Sequence, residues 1–116
     1  MLNLKTPTDL LNERAASLSA QTEGVVTGEV RDESEFRDGD VTATFYLVGE
    51  QINYRYLLFR LSYPANFYPA RLSFKPLSSE PIEVAGESEL AALLEQVFAA
   101  EKTREVVDAI IERSRD

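Results

Sequence analysis

At 116 residues, with 44% hydrophobic and 28% charged side chains, the chain has the size and composition of one globular domain over residues 1–116 with a core of its own. Its 20 Asp and Glu against 12 Lys and Arg leave a net charge of −8, and wrapping duplex DNA needs the opposite, a basic footprint. With neither Cys nor His, the sequence offers no thiolate, no imidazole base and no zinc-finger ligand set.

The first element reads as a helix. Thr6 suits an N-cap, Pro7 the first helical position, and Asp9 the first turn, where its charge meets free backbone N–H groups. Leu11, Ala15 and Leu18 form one apolar stripe, widened by Leu10, and Gly24 ends the segment. The start of the chain lacks a charged stretch followed by an apolar one, so no signal peptide is expected. No apolar run approaches the roughly 20 residues that cross a bilayer. The expected location is cytoplasmic, with no membrane partner.

Strands follow. Residues 25–30 are short and β-branched, and an acidic stretch to residue 40 contains Asp38-Gly39, a hairpin signal. Residues 41–48 alternate, with Val41, Ala43, Phe45 and Leu47 against Thr42, Thr44 and Tyr46. After a turn at 49–51, residues 52–63 read as a long aromatic strand closed by Pro64, and residues 71–75 as a fourth strand closed by Pro76. Residues 82–84 are too short to assign. At the C-terminal end Ser88 is the expected N-cap of a helix with Leu90, Leu93, Leu94, Val97 and Phe98 on one face. Val106, Val107, Ile110 and Ile111 lie on a rotated face, which predicts a break near 100–104 with Thr103 as a second N-cap. The fold class is α+β: an N-terminal helix, a four-stranded antiparallel meander and C-terminal helices, packed on one face of the sheet.

Residues 63–74 hold two prolines and several aromatics between the third and fourth strands. Pro64, Phe67, Pro69, Leu72 and Phe74 resemble the proline-rich loop and following strand of the ubiquitin-conjugating-enzyme-like superfold, including its inactive RWD relatives. The likeness spans residues 6–98 as an order of elements. It departs from the family at Tyr68, where proline is usual, and in a loop about two residues shorter. The resemblance implies a binding version of that fold, because the family's thioester-forming Cys has no counterpart here. Equally, Pro64 and Pro69 can simply end two strands of another α+β meander.

Charge is segregated. Residues 52–75 carry Arg55, Arg60, Arg71 and Lys75 with no acidic residue, together with seven of the eleven aromatics. That segment is +4 within a chain of −8, leaving −12 to the rest. Basic residues among aromatics can bind single-stranded nucleic acid. The negative surroundings favour core packing and surface pairing instead, with Asp32, Glu33, Glu35, Asp38 and Asp40 as partners for the arginines. No nucleic-acid partner is therefore expected.

Simple alternation along the third strand puts Tyr54, Tyr56, Leu58 and Arg60 on one face and Arg55, Leu57, Phe59 and Leu61 on the other. The second set is the more apolar and is expected to meet the helices. Tyr54, Tyr56 and Arg60 then face outward, and with Tyr63, Phe67 and Tyr68 they are the candidate partner-binding residues, since Tyr and Arg supply binding hot spots. On this reading Tyr56→Ala weakens a partner more than the fold. Cross-strand packing of the two tyrosines with Tyr46 is the competing expectation.

No catalytic or metal-binding residues are assigned. Residues 29–40 are acidic but lack the glycine and final Glu of a calcium loop, and the five glycines form no phosphate loop, so no cofactor is expected. The expected function is non-catalytic protein binding, as an adaptor or accessory protein. An immunity protein or secretion chaperone is one alternative, and a small carboxylate-based enzyme another. Val107, Ile110 and Ile111 are candidates for a homodimer interface, with packing on the sheet as the alternative.

Overall fold

The computed structural model describes residues 5–35 and 40–115, with only the backbone for 33–35. Helix α1 (Pro7–Gln21) starts as its sequence dictates: Thr6 accepts from the Asp9 N–H at 3.1 Å, and Asp9 accepts from the Thr6 N–H at 3.0 Å, a reciprocal cap. Leu10, Leu11 and Leu18 are buried beneath it, and the helix gives way to left-handed residues at Glu23 and Gly24.

Strands β1 (Thr27–Glu35), β2 (Asp40–Gly49), β3 (Tyr54–Tyr63), β4 (Ala70–Ser73) and β5 (Ile82–Val84) form one antiparallel sheet in chain order. A 3-10 turn (Glu50–Ile52), with Asn53 left-handed, joins β2 to β3. The meander therefore has five strands, because the three residues of β5 gain a ladder on β4, with Leu72 opposite Ile82. Residues 31–35 of the acidic stretch belong to β1, held by pairing with β2, and the expected Asp38-Gly39 turn lies outside the described residues.

Helices α2 (Glu87–Ala99) and α3 (Glu101–Ser114) complete the chain. The N-cap of α2 is Gly86 rather than Ser88, and Glu89 reaches back to accept the Ala85 N–H at 2.6 Å. The break falls at Ala100, but Thr103 is not a second N-cap. It is buried inside α3, and its hydroxyl donates to the Val97 carbonyl at 2.6 Å, satisfying the open end of α2.

All three helices lie on one face of the sheet. There Phe45 and Phe59 stack at 5.2 Å, and Phe98 of α2 meets both rings edge-on at 5.3 and 6.2 Å. Helix α1 comes so close to β1 that a Cβ on Gly28 would sit 2.8 Å from the Ala15 Cβ and 2.6 Å from the Phe45 ring. Ile110 of α3 fills the hollow above Gly49 and is 1% exposed. A dimer through Ile110 is thereby corrected: that side chain is core, and Val107 and Ile111 are half-buried against it.

Candidate protein-binding surface

A single extra residue decides which side chains reach the surface. Phe45 pairs with Phe59 and Tyr46 with Leu57, so Leu58 has no partner on β2 and forms a bulge. Alternation is broken there. Tyr54 and Tyr56 lie opposite Gly49 and the buried Leu47, on the same side as Phe59 and Leu61. The expected outward face of Tyr54, Tyr56 and Arg60 is thus corrected. The two tyrosines face the helices, Arg60 faces away, and Leu57, expected inside, is 38% exposed on the open side. Tyr46 meets neither tyrosine, being on the opposite face.

The helix-free face is built in rows by the ladders. Glu29, Tyr46 and Leu57 form one row, with Thr27, Val48 and Arg55 beside it; Arg31, Thr44 and Arg60 form the next. The guanidinium groups of Arg31 and Arg55 lie over the Tyr46 ring, 5.9 and 5.3 Å from its centre. Glu29 joins them, accepting from Arg31 Nε at 2.9 Å and from Arg55 Nη2 at 2.8 Å. This network holds a flat aromatic platform next to exposed Leu57. Arg55 is therefore paired with Glu29 of β1, and Asp32 accepts from the Thr8 hydroxyl at 3.2 Å. Among the described residues, Arg60 and Arg71 form no ion pair.

The remaining expected residues lie elsewhere. Tyr54, 38% exposed, lines a cleft of about 270 Å³ between the 3-10 turn and α3. Tyr63, at the other end of β3, is 7% exposed, and its hydroxyl is 2.6 Å from that of Thr8, tying β3 to the first turn of α1. Phe67 is half-buried with its ring 6.2 Å from that of Tyr63, and its left-handed backbone closes a turn through a 2.8 Å bond to the Pro64 carbonyl. Tyr68 is half-buried, precedes a cis peptide bond to Pro69, and turns its hydroxyl inward without a hydrogen-bond partner among the described residues. The six expected residues therefore do not form one patch; Arg60 alone belongs to the open face.

What the sequence reading missed is the group around it: Glu29, Tyr46 and Leu57. The outward alternation of Thr42, Thr44 and Tyr46 was the available signal, because a residue opposite Tyr46 must share its face. Compared with known proteins, the chain matches no family model, no curated protein and no solved structure.

Proposed function

We propose that the chain is a non-catalytic protein-binding module that engages its partner through the helix-free face of the sheet. The observation that carries this is Leu57, 38% exposed in the middle of a sheet face beside a tyrosine held between two arginines. An exposed apolar residue next to rigid Tyr and Arg side chains is the composition of an interface hot spot. The Glu29 network holds those side chains in place, so little rotamer freedom is left to lose on binding. The resemblance to RWD-like domains supports the same class, since a chain without Cys can carry no thioester.

The test is affinity capture from cells of the native source, comparing the unaltered chain with Leu57→Glu and Arg60→Glu. Both side chains are exposed, so thermal stability should stay within about 0.5 kcal/mol of the parent while the captured partner is lost. Retention of the same partner by both variants refutes a binding role for this face. Turnover of a substrate by the pure chain, abolished by one side-chain change, refutes the non-catalytic reading.

A further inference from the structure

β3 is an interior strand for only part of its length. Its ladder with β4 runs from Ser62↔Arg71 to Arg60↔Ser73 and stops there, so residues 54–59 have β2 on one side and, among the described residues, no strand on the other. In that stretch every second residue directs its N–H and C=O toward the vacant side. After Ser73 the chain turns away, with Leu77 and Ser78 donating to the Phe74 carbonyl at 3.1 and 3.2 Å. The result is a notch in the sheet, a cleft of about 270 Å³ between Leu57 and Leu58 on one side and Phe74 and Pro76 on the other. Arg60 and Lys75 line it as well, and among the described residues no carboxylate does. Neither cation forms an ion pair among the described residues.

We infer that this notch receives an acidic, extended segment of the partner protein, which adds to β3 as a strand. The inference rests on the protein-binding reading above and names the form the partner takes there. Backbone pairing along 54–59 supplies the attachment, and the side chains select the sequence. Toward the open face the added strand meets Leu57 and Arg60; toward the helices it meets Tyr56 and Phe74. A segment alternating acidic and apolar residues satisfies both sides, with its carboxylates answering Arg60 and Lys75. All of the lining except Pro76 comes from residues 52–75, a stretch with four basic residues and no acidic one, so the local field favours an anionic strand over a cationic one.

The experiment uses the whole chain and three synthetic peptides: alternating Val and Glu, the same with Lys in place of Glu, and the Val/Glu peptide N-methylated on one edge. The Val/Glu peptide should bind and slow amide exchange within residues 54–59. The Lys peptide and the N-methylated peptide should bind at least about tenfold more weakly. Arg60→Glu combined with Lys75→Glu should reverse the preference between the Glu and Lys peptides. Equal binding of the N-methylated peptide, or no added amide protection in 54–59, overturns strand addition while leaving the open face as the binding surface. Absence of binding by the Val/Glu peptide at millimolar concentration overturns it too. Retention of the captured partner by Leu57→Glu and Arg60→Glu together is the separate result that removes the face itself.

Discussion

The Tyr68 phenol is a group whose titration can be seen in the stability of the fold. Burial, and after it the negative charge of Glu87, raise its pKa above the ordinary 10.0. The folded chain therefore holds this proton more tightly than the unfolded chain. Stability is unaffected by Tyr68 below the unfolded pKa of 10.0 and is lost as pH rises through the higher folded value. Tyr68→Phe removes both the ionisation and a buried hydroxyl that has no partner among the described residues. At neutral pH its stability in urea should equal the parent's or exceed it by up to about 1 kcal/mol. Above pH 10.0 it should retain more stability than the parent, and an identical alkaline decline in the two proteins contradicts this account.

Among the elements, the bulge in β3 and the break between α2 and α3 have the largest consequences. Leu57, Leu58 and Phe59 are consecutive apolar residues, so hydrophobic pattern fits either frame, and the register is set by pairing with β2 instead. That is why the strands were legible in the sequence while the faces of Tyr54, Tyr56 and Leu57 were not. Thr103 was misread for a related reason. A hydroxyl near a helix start suits an N-cap, and nothing local reveals that it answers the carbonyl of Val97 six residues earlier. The Thr6 cap and the first-turn place of Asp9, being wholly local, were legible, although the return bond from the Thr6 N–H to Asp9 was not foreseen. Ile110 settles the role of α3: with its side chain 1% exposed above Gly49, Ile110→Glu places an unpaired carboxylate in the core. The expected result is loss of more than about 4 kcal/mol, read as loss of cooperative thermal unfolding. A variant that stays folded and merely changes elution volume speaks for an interface instead.

At the scale of the molecule, the charge pattern is the property that matters. Arg60, Arg71 and Lys75, none of them in an ion pair among the described residues, make one region of the surface attractive to anions, although the chain's net −8 repels them. Association with an acidic partner should then be fast at low salt and fall steeply as the Debye length shrinks from about 30 Å at 0.01 M to about 8 Å at 0.15 M. Stopped-flow measurement of the association rate across that range checks it, and a rate independent of salt contradicts the charge argument. Stability should respond much less. The Glu29 pairs to Arg31 and Arg55 are partly exposed and worth only about 0–1 kcal/mol each.

The bond between Tyr63 and Thr8 joins positions 55 apart in the chain. A lone helix of the length of α1, 15 residues, is marginal in water, and the partners that bury its leucines arrive with the strands that follow. During synthesis, then, the opening helix must wait for the far end of β3 to leave the ribosome before its first turn can be fastened. The final seating of α1 therefore comes only after β3 has been made, because the two hydroxyls lie 55 positions apart.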